Sequence, residues 1–95
     1  MDEDLKMLGE RLKELRNERE LTMDMVVTDM NSQFNIELRR GNISKWENGV
    51  NIPSLRMAAY LCAYYHVSLD YLIGNTNSRV PVDLLAKTIR GKKDK

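Results

Sequence analysis

The chain has 95 residues, of which 42% are hydrophobic and 31% charged, with a net charge of +1. This composition is typical of one small globular domain, and the near-neutral total is a weak indication of nucleic-acid binding. The single cysteine, Cys62, excludes an internal disulfide, and no run reaches the roughly eighteen apolar residues of a membrane span. The acidic N-terminus lacks a signal-peptide pattern, so we expect a cytoplasmic protein without a membrane partner.

Periodicity in the first half of the chain predicts two amphipathic helices. Apolar residues spaced three and four apart indicate a first helix over about residues 4–19. Its inward stripe consists of Leu5, Leu8, Leu12 and Leu15. Thr22 is a suitable N-cap for a second helix, which should end between Met30 and Gln33. The buried stripe of that helix consists of Met23, Val26, Val27 and Met30.

The segment that follows, residues 32–38, fits two structures. Phe34, Ile36 and Leu38 alternate with polar residues, as in an extended chain with one buried face. An added turn of the second helix is the alternative. We predict a loop here, followed by a third helix over residues 40–48.

The third helix has the most distinctive composition. Residues 39–45 include three basic residues and no acid. Ile43 and Trp46 lie three apart, on one side of the helix, so the polar residues between and around them point elsewhere. Arginine and lysine can donate hydrogen bonds to guanine, and asparagine can pair with adenine, in a DNA major groove. The alternative is an ordinary polar surface helix anchored by a tryptophan.

The second half of the chain predicts two more helices. Ser54 is a suitable N-cap for a fourth helix over residues 55–65, and Ser68 for a short fifth helix that Gly74 ends. His66 lies where the fourth helix must turn, and histidine tolerates a positive φ there. No second histidine or cysteine pair accompanies it, so no metal site is expected. One face of the fourth helix is predicted to contain Leu55, Ala58, Ala59, Cys62 and Tyr65.

Residues 75–95 are predicted to form a polar linker, a possible sixth helix over residues 82–90 and a basic tail. The apolar stripe of that helix consists of Val82, Leu85, Ala86 and Ile89. The stripe either packs on its own domain or, together with Tyr60 and Tyr64, forms a dimer surface, which we favour slightly. The predicted architecture is therefore all-α, with five helices in a domain of residues 1–74.

Five stretches carry a family resemblance. Residues 8–16 read Leu-Gly-Glu-Arg-Leu-Lys-Glu-Leu-Arg, residues 21–22 Leu-Thr, residues 43–49 Ile-Ser-Lys-Trp-Glu-Asn-Gly, residues 52–54 Ile-Pro-Ser, and residues 67–74 Val-Ser-Leu-Asp-Tyr-Leu-Ile-Gly. In these stretches the chain resembles the Cro/repressor-type helix-turn-helix family of phage and bacterial transcription regulators, the XRE group. The resemblance covers about residues 5–74. It implies the five-helix lambda-repressor-like fold, with helix 2 across the DNA backbone and helix 3 in the major groove.

The resemblance also implies roles for individual residues. Recognition positions of the family fall on Arg40, Gly41 and Lys45, and Arg40 and Lys45 are the candidates for guanine contacts. Asn48 and Asn51 match phosphate-binding positions. The full expected DNA-binding set is Arg39, Arg40, Gly41, Asn42, Ser44, Lys45, Asn48 and Asn51.

Two further residues match structural positions of the family. Arg16 and Glu47 correspond to an internal ion pair that ties helix 1 to the end of helix 3. Trp46 is expected in the core rather than as a stacking platform for bases.

The chain departs from the family pattern in four places. Met23 replaces a phosphate-binding glutamine, Glu20 stands where relatives often turn with glycine, and Gly41 offers no side chain to a base. The link between helices 2 and 3 is longer than the usual turn by about five residues. The angle of helix 3 on the duplex therefore depends on how this link folds.

These observations predict a sequence-specific regulator that binds double-stranded DNA, most simply a repressor acting as a homodimer on a palindromic operator. A protein-interaction module of the same fold, as in antitoxins and anti-repressors, is the alternative from another class. An enzyme is not expected, because the chain has one histidine and no glycine-rich phosphate loop or metal-ligand spacing. Neither a cofactor nor a small-molecule ligand is predicted.

Overall fold

The computed structural model describes residues 2–80, apart from the side chains of Asp2 and Asp4. Within this range the chain contains five helices and no strand, which confirms the predicted all-α class. The helices are α1 (Asp2–Glu18), α2 (Met23–Phe34), α3 (Arg40–Glu47), α4 (Leu55–Tyr65) and α5 (Leu69–Leu72). The predicted sixth helix, its apolar stripe and the basic tail lie outside the described residues.

All five helices end in the same way. A residue with positive φ follows each helix, and the next N–H donates to a carbonyl five positions earlier in the chain. The left-handed residues are Glu20, Asn35, Gly49, His66 and Gly74. The closing bonds are Leu21 to Arg16, Ile36 to Asn31, Val50 to Lys45, Val67 to Cys62 and Asn75 to Asp70, at 2.9–3.3 Å. His66 is therefore the turn residue that the sequence predicted, and Glu20 adopts the conformation expected to strain it.

The N-terminal ends are capped by hydroxyl side chains at three of the helices. Thr22, Ser54 and Ser68 each accept a hydrogen bond from the backbone N–H three residues later. These bonds satisfy N–H groups that have no partner inside the helix, and they confirm the three predicted caps.

The core joins α1 and α3 to the other helices. Its buried side chains include Leu8, Leu12 and Leu15 of α1, Val26 and Met30 of α2, Ile43 and Trp46 of α3, Leu61 and Tyr65 of α4, and Leu72 of α5. Of the predicted α1 stripe, only Leu5 is half-exposed. Cys62 is half-buried, and its burial raises the pKa of the thiol.

The prediction of a loop over residues 32–38 was wrong for its first part. Helix α2 continues to Phe34 and ends at the left-handed Asn35. Phe34 extends the four-residue spacing of Val26 and Met30, and its ring stacks on Tyr60 with centroids 4.5 Å apart. This contact with α4 favours the added helical turn over the alternating pattern. The chain is non-helical from residue 36 to residue 39.

The apolar face predicted for α4 is only partly buried. Leu55 is 81% exposed and Ala59 is exposed, whereas Ala58, Leu61 and Tyr65 are buried. Because α4 is apolar on nearly every side, its hydrophobic pattern does not fix which side faces the core.

Residues 76–79 lie against α1 and the start of α5. The Arg11 guanidinium donates to the carbonyls of Tyr71 and Thr76, and Arg79 forms a two-pronged ion pair with Glu18 at 2.8 Å. Arg79 lowers the pKa of the Glu18 carboxyl through these hydrogen bonds.

No helix within residues 2–80 has the length and apolar character needed to cross a membrane.

Candidate nucleic-acid interface

Helix α3 is anchored to the domain along its inner side. Ile43 is 3% exposed and Trp46 is 6% exposed, and both belong to the main core. Trp46 is therefore a core residue, as expected, and its ring is not available to stack on a base. With these two side chains inside, the opposite side of α3 faces solvent.

The C-terminal end of α3 is fixed by an ion pair to α1. Arg16 Nε donates to Glu47 Oε2 at 2.7 Å, and Arg16 Nη2 donates to Glu47 Oε1 at 3.0 Å. Arg16 Nη1 also donates to the carbonyl of Leu21 at 2.8 Å, so the same guanidinium joins α1, the turn before α2 and α3. The hydrogen bonds to Glu47 raise the pKa of Arg16, with desolvation opposing them. The Glu47 side chain is only 1% exposed, and Arg16 supplies its charge partner.

A glycine allows this end of α3 to approach α1 closely. A Cβ placed on Gly9 would lie 2.6 Å from the Glu47 carbonyl oxygen and 2.7 Å from the Trp46 carbonyl oxygen. These are backbone atoms, which cannot rotate away as a side chain does. The close packing of α1 on α3 therefore depends on the missing side chain at position 9.

The N-terminal end of α3 is held differently, by polar contacts near the surface. Leu38 is buried, and both of its backbone groups bond to the side chain of Asn31 in α2. Arg39 is the N-cap residue but its side chain makes no capping bond. The Asn42 Oδ1 instead accepts from the Arg39 N–H at 2.8 Å.

The basic residues predicted for DNA contact lie on the exposed side of α3. Arg39, Arg40 and Lys45 are all exposed. None of the three forms a salt bridge or a side-chain hydrogen bond with another described residue of the domain. Gly41 lies beside them, and a Cβ at that position would meet nothing within 4 Å. The exposed side of α3 thus presents three cations without an ion-pair partner among the described residues: Arg39 and Arg40 at its start, next to the open backbone of Gly41, and Lys45 in its last turn.

The four polar residues of the predicted set differ in what they can offer. Asn42 uses its carbonyl in the bond to Arg39, which leaves its amide N–H groups for a ligand. Asn48 Nδ2 donates to the Ser44 carbonyl at 2.9 Å and approaches Ser44 Oγ at 3.3 Å. The hydroxyl proton of Ser44 therefore stays available, whereas Asn48 must rotate before it can donate to a phosphate. Asn51 is exposed in the loop after α3, where it lines an apolar groove together with Ile52 and Leu69.

The first residue of α2 has no polar side chain that could hold a phosphate. Met23 is half-buried and has no donor, and Met25 is exposed beside it. Asp24 adds a negative charge in the first turn of the helix. The sequence departure at Met23 therefore corresponds to a surface without a donor side chain at that position.

Two residues that shape the interface were not singled out from the sequence. Gly9 carried a usable signal, since glycine inside an amphipathic helix indicates close packing. Asn31 carried none, because its partner is the backbone of a residue seven positions later, and no side-chain pattern records such a bond.

Comparison with known families agrees with this geometry. Residues 9–78 match a family model described as a helix-turn-helix domain. Neither a curated protein nor a solved structure gives a significant match to the chain. The matched range contains α2, the link and α3 together with the helices that hold them. Since this match extends over more than half of the chain, the protein belongs to the helix-turn-helix domain family.

Proposed function

We propose that this protein is a sequence-specific DNA-binding regulator that acts as a transcriptional repressor. Helix α3 would enter the major groove, and Arg40 and Lys45 would donate to guanine. Arg39, Asn42 and Ser44 would contribute phosphate or base contacts, with Asn48 and Asn51 at the groove edge. Occupation of an operator by the protein would block polymerase sterically.

This proposal rests on the exposure of three cationic side chains on α3 that form no ion pair with a described residue. Arg39, Arg40 and Lys45 are exposed on a helix whose inner side is fixed by Ile43 and Trp46. Helices present unpaired cations on a rigid, exposed face at a cost in self-repulsion, which a row of phosphates would remove. With its side chains an α-helix such as α3 is about 10–12 Å across, which fits a major groove about 12 Å wide.

We further propose that the protein binds as a homodimer to a palindromic site. One helix of this length reads only a few base pairs, and two copies would place their α3 helices about 34 Å apart. Of the surface favoured by the sequence, Tyr60 stacks on Phe34 and Tyr64 donates to Asp29 at 2.7 Å. Both tyrosines therefore contact α2 of their own domain. The dimer proposal rests instead on the apolar sequence pattern from Val82 to Ile89.

The test of base reading starts with selection of bound sites from a random DNA pool. Arg40→Ala should weaken binding to the selected site by about 1–3 kcal/mol and relax the preference at one base pair. Lys13→Ala is the matched control, because it removes one exposed positive charge from the acidic side of α1. It should leave the sequence preference unchanged.

Two results would count against the proposal. Equal weakening of Arg40→Ala on selected and random DNA would remove the base-reading role of Arg40. Selection of no sequence at low salt would favour the protein-interaction module, with the exposed apolar groove between Leu5, Ile52, Leu69 and Ile73 as its surface. A selected site without two-fold symmetry would contradict the dimer.

A further inference from the structure

The link between α2 and α3 contains a polar bracket made by one side chain. Asn31 Oδ1 accepts from the Leu38 N–H at 2.7 Å, and Asn31 Nδ2 donates to the Leu38 carbonyl at 3.0 Å. The backbone carbonyl of Asn31 also accepts from Ile36 at 3.3 Å. One residue of α2 therefore makes three hydrogen bonds to the non-helical segment over residues 36–39.

This bracket satisfies groups that would otherwise have no partner. Residues 36–39 pair with no strand in the described part of the chain, so their backbone groups depend on side chains or water. The Leu38 side chain is buried in the core, which draws its backbone away from solvent. The Asn31 amide meets both Leu38 groups at once, as a neighbouring strand would do in a sheet.

The bracket also lies next to the basic residues of α3. Leu38 directly precedes Arg39, the N-cap of α3, and Arg40 follows as the first helical residue. Ion pairing and tight helix contact fix the other end of α3, whereas this end is held by the buried Leu38 side chain, the bracket and the Asn42 bond. A shift of the link would displace Arg39 and tilt the first turn of α3, where Arg40 lies, about the anchored Trp46 and Glu47.

We infer that Asn31 is a positioning residue for DNA recognition, which sets where Arg39 and Arg40 stand relative to the base edges. This inference rests on the proposed DNA-binding function. Asn31 itself touches no base in this role; it acts through the backbone of Leu38. It makes the long link a rigid spacer of fixed geometry between the two helices of the motif.

The test compares Asn31→Ala and Asn31→Asp with Gln33→Ala, an exposed position in the same turn of α2. Asn31→Ala loses both bonds to Leu38, whereas Asn31→Asp keeps the acceptor for the Leu38 N–H but replaces the donor to the Leu38 carbonyl with a carboxylate oxygen. For each variant, affinity is measured on the selected site and on random DNA of equal length. The ratio of the two affinities should fall about tenfold for Asn31→Ala, comparable with loss of one base contact, and no less for Asn31→Asp, in which two oxygen atoms face each other. Gln33→Ala should match the parent chain.

Amide hydrogen exchange separates this inference from the proposed function. The Leu38 amide should be protected in the parent chain without DNA and lose protection in Asn31→Ala, while the Trp46 amide stays protected. An unprotected Leu38 amide in the parent chain, or an unchanged affinity ratio in Asn31→Ala, overturns the positioning role. If the parent chain selects no DNA sequence, the DNA-binding proposal fails and the positioning role falls with it. Protection at Leu38 that depends on Asn31 would then show the bracket to be a structural feature alone.

Discussion

The two ends of helix α3 are held by different kinds of interaction. At the C-terminal end, a bidentate ion pair and the absence of a side chain at Gly9 lock α3 against α1, inside the core. At the N-terminal end, the buried Leu38 side chain, its two backbone bonds to Asn31 and a single Asn42 bond hold the chain. The ion pair at the first end encloses a Glu47 side chain that is 1% exposed, whereas the Asn42 bond at the second end lies at the surface.

This difference matches a division of labour along one short helix. A buried end gives the helix a fixed direction, since close backbone packing leaves little freedom to tilt. An exposed end leaves Arg39, Arg40 and Gly41 open to a ligand. We therefore expect stability to depend mainly on the C-terminal end and binding mainly on the N-terminal end, with Lys45 of the last turn as the one proposed base contact outside it.

The largest effect is expected at the ion pair. Arg16→Met should destabilise the domain by about 3–5 kcal/mol, because it leaves the buried Glu47 carboxylate without its partner. Urea denaturation followed by circular dichroism gives the free energy of unfolding.

A double variant provides the control for this first prediction. Arg16→Met combined with Glu47→Leu removes both charges, and it should recover most of the lost stability because no buried charge is left unpaired. If Arg16→Met alone cost less than about 1 kcal/mol, the pair would behave as an ordinary surface ion pair, and the C-terminal end would not be the locked one.

Two glycine variants compare the ends of α3 directly. Gly9→Ala should lower stability by about 2–3 kcal/mol, since its Cβ would lie 2.6 Å and 2.7 Å from backbone oxygens of α3. Gly41→Ala should raise stability by about 0.5–1 kcal/mol, because its Cβ meets no atom within 4 Å and alanine favours the helix. Thermal unfolding of the two variants measures both changes. Similar stabilities for the two would show that the ends of α3 are packed alike.

Much of the locked end follows from the sequence. Ile43 and Trp46 share a helical face, and a fixed pattern of this kind predicts the buried side whatever the detailed packing. Glu47 was placed with Arg16 by family resemblance, and the structure joins the two side chains at 2.7 Å. Outside the matched motifs, the local sequence pattern fits more than one secondary structure or more than one buried helix face.

The exposed end could not be predicted in the same way. The run of Phe34, Ile36 and Leu38 fits a strand-like alternation, and only the ring of Tyr60, far along the chain, shows why Phe34 is helical. The bond between Asn31 and the Leu38 backbone depends on the path of the link, which the sequence leaves open. Because α4 has apolar residues on nearly every side, its sequence does not show which of them face solvent, as Leu55 does.

The smallest expected effect concerns the N-cap of α3, where stability and binding should oppose each other. Arg39 makes no capping bond, although serine, threonine, aspartate and asparagine are the favoured residues at that position. Arg39→Ser should therefore raise stability by about 0.5–1 kcal/mol while it removes one exposed cation beside the proposed groove contact. The plot of log affinity against log salt on random DNA should become shallower by about one unit of slope.

Thr22→Ala is the matched control, because Thr22 is a working N-cap whose hydroxyl accepts from the Met25 N–H at 3.1 Å. Its loss should cost about 1 kcal/mol of stability and leave the salt dependence of DNA binding unchanged. We expect Arg39→Ser to raise stability and Thr22→Ala to lower it, with a changed salt slope only in Arg39→Ser. That result would show that the N-cap position of α3 is occupied by a DNA-binding residue instead of a capping residue. A stability loss in Arg39→Ser would instead show that the arginine side chain supports the fold, and the exposed end of α3 would then share the structural role of the buried one.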